Sequence, residues 1–309
     1  MRLGRSAAAV AAVSIAVAAG GCGFGPGQSS SGEATLTVTR DYGADPVLGA
    51  SEADPPESET VIRFLDREAE ITTRYGGGFV ESIEGTSGEL NDGRSSDWFF
   101  FVNGIESPRG GAEVGVRGGD RIWWDYRDWT DAMRTPAVVG SWPEPFLQAS
   151  TPADERAPVT VDCRAPARSC NEVEERLGDV GVRTAGDDGD GPRVLVGRWS
   201  SIADDPVAAD LGRGPATSGV FARFQRGAGG WELVELDSSA DPAVRDQAGA
   251  GLVAALRPGD GPPTWLVTGT DVAGVQRAAA ALRADRLADH YAVAAIGDRT
   301  SPLPAEAAG

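Results

Sequence analysis

The chain has no lysine, one histidine and three cysteines among its 309 residues. The scarcity of histidine excludes the most chemistry. Most hydrolytic triads and zinc sites need a well-placed imidazole, and zinc sites usually need several. His290 would have to serve alone, in a segment that reads as the last helix, beside Tyr291 and far from any nucleophile motif. No Gly-x-Ser-x-Gly elbow and no phosphate-loop signature occurs. The adjacent acids Asp204-Asp205 and Glu174-Glu175 would not face one another on a helix. The expectation is a protein that is not an enzyme, with no cofactor and no metal. Lysine is absent beside abundant Ala, Gly and Arg, which reads as codon composition and carries no chemistry. With 46 acids against 28 basic residues the net charge is -18, and such a surface repels phosphate backbones, which argues against nucleic acid. No EF-hand loop occurs; Asp187-Asp188-Gly189-Asp190-Gly191 is a candidate calcium cluster, with a solvated acidic turn as the simpler account.

Long hydrophobic runs are also missing. The longest, Ala7 to Ala19 with Ser14 inside it, falls well short of the ~20 residues a spanning helix requires. It follows a short start carrying Arg2 and Arg5 and precedes Ala19-Gly20-Gly21-Cys22. A basic start, a short apolar core and small residues make a secretory signal over 1–21. The cysteine after the small residues resembles a lipobox, although Ala19 stands where that motif usually has Leu. The resemblance implies lipidation of Cys22 and localisation outside the cytoplasm, anchored to the outer face of the cell membrane. Residues 22–33 are almost entirely Gly, Ser, Pro and Gln and read as a flexible tether. With Cys22 lipidated, Cys163 and Cys170 remain as an even pair in an oxidising compartment, and a disulfide between them is expected.

The other residues suffice for two domains. A Pro-stiffened linker over 143–158 separates them, and 297–309 reads as a disordered tail. In the first domain, 34–142, Ala34 to Thr39 alternates as a strand and Gly43 to Glu59 reads as a loop. Thr60 caps a helix through Glu68. Strands are then expected at Ile71–Tyr75, Phe79–Ile83, Asp97–Val102 (ending in the Asn103-Gly104 turn) and Arg121–Trp129. The second domain, 159–296, alternates strands and helices. Strands fall at Val159–Asp162, Arg193–Gly197 and Thr264–Thr268, with a hairpin over Gly219–Leu236. Helices fall at Cys170–Gly178, Ser200–Leu211, Val244–Leu256 and Val272–Leu287. The fold class is therefore an α+β N-terminal domain followed by an α/β sandwich with a mixed sheet.

Several blocks of the first domain are specific: Tyr75…Gly78-Phe79-Val80-x-x-Ile83-x-Gly85, then Trp98-x-Phe100-x-Val102-Asn103-Gly104, then Val116-x-x-Gly119-Asp120-x-Ile122-x-Trp124-x-Tyr126. This series resembles the transcobalamin-like C-terminal domain family, a bacterial surface domain of unknown function. The resemblance covers about a third of the chain and implies a β-grasp-like fold. In transcobalamin and intrinsic factor the related domain closes over cobalamin held on a helical barrel. No such barrel accompanies it here, and a corrinoid is one candidate ligand beside a glycan or a protein.

Alternation places Trp98, Phe100 and Val102 on one face, with Ile122, Trp124 and Tyr126 likewise opposed to Trp123, Asp125 and Arg127. One aromatic face fits under the helix around Phe64 and Leu65. The other must meet the second domain, a partner or a ligand. Candidate ligand-binding residues are Trp98, Phe100, Asn103, Trp123, Trp124 and Tyr126, with Asn103 also explained as a turn residue. The leading reading is a surface-anchored, non-catalytic binding module, with exposed tryptophans in a concave site. A structural cell-envelope protein would instead bury them between the domains. A carboxylate-dependent enzyme would need two acids converging in a pocket with shifted pKa values. The loop Val267 to Gly274 runs from strand to helix, and helix capping by Thr270 or Asp271 accounts for it.

Overall fold

The structure is a computed structural model describing residues 29–186 and 189–307. The signal segment, Cys22 and most of the tether lie outside the described residues, as do Asp187 and Asp188 of the acidic turn. The chain is mixed α+β, rich in sheet, with short helices.

In the first unit, strands β1 (Glu33–Arg40) and β2 (Asp45–Ala53) form a hairpin, followed by helix α1 (Val61–Glu68). A small sheet comes next, of β3 (Ile71–Arg74), β4 (Phe79–Ile83) and β5 (Thr86–Ser87). Strands β6 (Glu89–Asn91), β7 (Arg94–Val102), β8 (Ile105–Glu106) and β9 (Arg121–Asp128) complete the unit. The main sheet runs β2-β1-β9-β7-β6, with β8 on β7. The first strand is parallel to the last, Leu36 opposite Ile122 and Val38 opposite Trp124. Thr60 caps α1 by accepting from the Arg63 N–H, and Val61, Phe64 and Leu65 fill its buried stripe. They close over Leu36, Val38, Trp98, Phe100, Ile122 and Trp124. The loop expected over Gly43–Glu59 contains β2. It is an edge strand with a mostly solvated face, so its polar residues hide the alternation.

The second unit opens with β10 (Val159–Arg164), α2 (Ala167–Asp179), β11 (Thr184–Ala185) and β12 (Arg193–Arg198). The short helices α3 (Trp199–Ile202), α4 (Pro206–Leu211) and α5 (Pro215–Ser218) follow. Then come β13 (Ala222–Gly227), β14 (Gly230–Leu236), β15 (Pro242–Asp246), β16 (Gly251–Leu256) and β17 (Thr264–Gly269). Helices α6 (Val272–Ala280) and α7 (Ala284–Leu287) precede β18 (Ala292–Ile296) and β19 (Arg299–Leu303). The main sheet, β11-β10-β12-β17-β16-β18-β19, is parallel as far as β17 and antiparallel beyond it. Its faces alternate: Val194, Val196, Trp265 and Val267 meet α2 and α6, while Leu195, Leu252 and Leu266 meet the other side. On that side lie α3, α4 and the separate sheet β13-β14-β15. Cys163 and Cys170 form a disulfide joining the end of β10 to α2.

Four expectations fail here. The helix expected at Val244–Leu256 is two strands; Gly249 and Gly251 weaken a helix, and β16 is buried throughout between β17 and β18, so pairing on both edges overrides its Ala and Leu content. The Ser200–Leu211 helix breaks because Pro206 starts a new one, capped by the Asp205 carboxylate on the Val207 and Ala208 N–H groups. The Val272–Leu287 helix ends at Ala280, where Leu282 turns into the core, and His290 sits in the loop before β18 rather than on a helix. The segment expected as a disordered tail contains β19, paired with β18 and fixed by buried Leu303.

The linker over 143–158 is likewise no exposed strut. Trp142 and Phe146 pack on Trp265, ring centroids 5.7 and 4.7 Å away, and join the second core. The Glu144 carboxylate accepts from the Gln148 and Ala149 N–H groups and closes the turn.

Candidate functional site

The second aromatic face of the first unit is covered by the second unit. Phe101, Trp123 and Tyr42 pack against Phe221, Val234, Leu236 and Tyr291. Tyr291 lies edge-on to Tyr42, Phe101 and Trp123, with centroids 5.1 to 5.5 Å apart. Asp125 is buried in this layer and accepts from the Thr39 hydroxyl at 2.5 Å, the Tyr291 phenol at 2.9 Å and the Gly43 N–H at 3.1 Å. The Trp123 indole donates to the Thr39 oxygen at 2.8 Å. Burial lifts the Asp125 carboxyl to about 6, against the pull of these donors. Arg127, also buried, stacks on Phe99 and donates to the Ala132 and Met133 carbonyls.

The six candidate ligand residues therefore lie in packed surroundings. Trp98, Phe100 and Trp124 belong to the core beneath α1, with Phe100 stacked on Trp124 at 4.7 Å. Tyr126 borders that core and donates to the Ser87 carbonyl, and Trp98 donates to the Thr86 carbonyl. Trp123 lies between the units. Asn103 adopts a left-handed turn conformation, φ 54°, its side chain held by Asp120 and the Arg121 N–H. The structure thus distributes these residues between two packed layers and a turn.

A cleft of about 920 Å³ opens where the units meet. Asp41 and Tyr42 enter from the β1–β2 turn, Glu235 and Asp246 from the small sheet, His290 from the loop before β18, and Ser301 from β19. Glu235 pairs with Val244 across β14 and β15, so Asp246 is its diagonal neighbour on the same face. Both carboxyl groups therefore lie on one face of the small sheet, at the cleft. Burial, and then the Asp246 carboxyl, push Glu235 up to about 7, while the Ser301 hydroxyl, donating at 3.0 Å, works against them. Oδ2 of Asp246 is buried and has no hydrogen-bond partner among the described residues. Ionised carboxylates are acceptors only, so two of them on one face favour an arriving donor. Burial also lowers the His290 imidazole.

Sequence reading missed this pair. Glu235 shares the period-two face of Trp231 and Leu233, an acid where an apolar residue fits, and that signal was present. Asp246 was hidden, because its segment reads as a helix. In the loop after β17, Asp271 caps α6, accepting from Gly274 and Gly249 N–H groups. A Cβ at Gly274 would come within 3.2 Å of the Gly269 Cα, so the glycine permits close helix–sheet packing. Among the described residues, no three His, Cys, Asp or Glu side chains group as a metal site.

Fold and cleft define a two-unit protein with an aromatic seam and an acidic recess at its edge. Residues 58–128, from just before α1 to the end of β9, match the family described as "Domain of unknown function (DUF4430)". A solved structure from Ruminococcus gnavus, described as a "putative metal binding protein", is similar over 31% of this chain and 97% of that one, with 14% identity and a TM-score of 0.25. No curated protein matches the chain.

Proposed function

We propose that this is an exported, lipid-anchored binding protein, tethered through Cys22 and non-catalytic, whose ligand site is the acidic cleft between the units. The sequence signal over 1–21 supports export, and the Cys163–Cys170 disulfide suits an oxidising compartment. The first unit is read as a β-grasp of the transcobalamin-like kind. Its hairpin, covering helix and parallel first and last strands agree with that fold.

The observation carrying the reading is the placing of Glu235 and Asp246 on one sheet face that lines a cleft large enough for a small molecule. A ligand presenting a protonated amine or hydroxyl donors would complement the two acids. A corrinoid would not be held by Trp98 and Trp124, which are packed in the core, and this cleft is the site proposed for it. Calorimetric titration of the full-length protein in detergent with cobinamide, and with spermidine as a plain polycation, tests the assignment. Saturable binding of either, lost in Asp246→Asn with the native circular dichroism spectrum kept, is the expected outcome. Heat from neither probe would remove the cleft assignment.

The aromatic seam favours a second reading, a structural cell-envelope protein, since the interfacial burial of Trp123 is what that role requires. It gains if neither probe binds. A carboxylate-dependent enzyme would need both acids open to a substrate, and Glu235 is only 2% exposed, which leaves one of the two nearly closed.

A further inference from the structure

A second cleft, of about 420 Å³, lies on the helix-covered side of the second unit. Arginines from four elements converge on it. Arg176 comes from the last turn of α2, Arg277 from the last turn of α6, Arg283 and Arg286 from the start and end of α7, and Arg299 from β19. The acid lining it is Asp298. In a chain with 46 acids and 28 basic residues, that inverts the local charge.

Part of this cluster has an internal explanation. Arg176 pairs with Glu172 at 2.6 Å, and Asp285 pairs with Arg283 at 2.9 Å and Arg286 at 3.7 Å. Arg176, Arg277 and Arg286 also stand at helix C-termini, where a cation complements the dipole. Two observations remain. Arg299 forms no salt bridge among the described residues. Nε of Arg176 is buried and has no hydrogen-bond partner among the described residues, although a buried guanidinium N–H left without an acceptor is costly. Arg277 also donates to the Gly249 carbonyl, while Ala280, Ala281 and Gly297 are small among the lining residues and leave the cleft open.

We propose that this cleft binds a phosphate-bearing anion. A guanidinium offers two parallel N–H donors to an oxyanion, and several converging on one tetrahedral group supply more donors than a single carboxylate uses. The two clefts share Arg299 and Thr300 of β19, but Arg176, Arg277, Arg283 and Arg286 line this one alone, and the proposal does not depend on the acidic-cleft assignment. The same chemistry is found in a free phosphate and in an anionic phospholipid headgroup.

The test uses full-length protein in two arms. One titrates inorganic phosphate calorimetrically at physiological ionic strength. The other compares binding to phosphatidylglycerol and phosphatidylcholine vesicles, reading the difference because a lipid anchor would insert in both. Arg299 lines both clefts, so the substitutions are Arg283→Gln and Arg286→Gln, whose side chains are 51% and 41% exposed and leave the fold intact. Saturable phosphate binding, weakened about tenfold by each substitution, supports a free phosphate ligand. A phosphatidylglycerol preference that both substitutions abolish, without binding of free phosphate, assigns the headgroup. Absence of binding in both arms, or binding unchanged by both substitutions, overturns the proposal.

Discussion

The phenol of Tyr291 donates a 2.9 Å hydrogen bond to the buried carboxylate of Asp125, across 166 positions of sequence and across the seam between the two units. Its partner lies on a central strand of the first sheet, and its ring sits against Tyr42, Phe101 and Trp123. Tyr291→Phe keeps the ring contacts and removes one donor to a buried acid. The expected loss is about 1–3 kcal/mol, read as a lower denaturant midpoint with the unfolding slope unchanged.

Two glycines let the units approach this closely. Gly43, at φ 89°, lies against the Asp289 carbonyl, and a Cβ at Gly140 would sit 2.8 Å from Trp123 and 2.9 Å from the His290 backbone. Gly140→Ala should therefore force the seam apart. Calorimetry is expected to resolve two thermal transitions in place of one; a single unshifted transition would mean the seam does not couple the units.

Stability should depend on pH through the raised acids. Asp125 moves from 3.8 to about 6 and Glu235 from 4.5 to about 7. Between those values the native state holds more protons than the unfolded chain, so stability falls as pH rises from about 4 to 7. His290 acts oppositely: its lowered pKa costs stability as pH falls through 6.5. The Glu235 contribution is isolated by Glu235→Gln, which should flatten the profile and raise stability at pH 7.5 by on the order of 3 kcal/mol at most. Parallel profiles for the two proteins would rule out its titration as the cause.

The aromatic connector is a structural part of the second unit. Trp142→Ala opens a void beside Trp265 and Phe146 and should cost about 3–5 kcal/mol by equilibrium unfolding. A cost below about 0.5 kcal/mol would mark the segment as the passive linker that its prolines suggest.

Reduction of the Cys163–Cys170 disulfide should matter less. It closes a short loop, with a sequence separation of 7, worth about 2 kcal/mol in chain entropy. Unfolding with and without a reductant measures it, and no change in midpoint would show that the loop is held by its packing alone.

Local chemistry was legible in the sequence wherever neighbours decide the conformation. Thr60 capping α1, the alternation of Trp98 to Val102, the Asn103-Gly104 turn and the hairpin through Gly227 to Gly230 depend on a few adjacent residues, and all occur as read. The pairing of two cysteines was likewise a matter of counting. What the sequence could not determine depends on partners far along the chain. β16 is a strand because β17 and β18 flank it, and the polar strand β2 is one because β1 offers an edge. The second aromatic face is legible as a surface needing cover, but only the tertiary structure supplies Phe221 and Tyr291 as that cover. The acidic cleft and the arginine cleft arise in the same way, from residues brought together by strand register and helix packing, which sequence spacing does not encode.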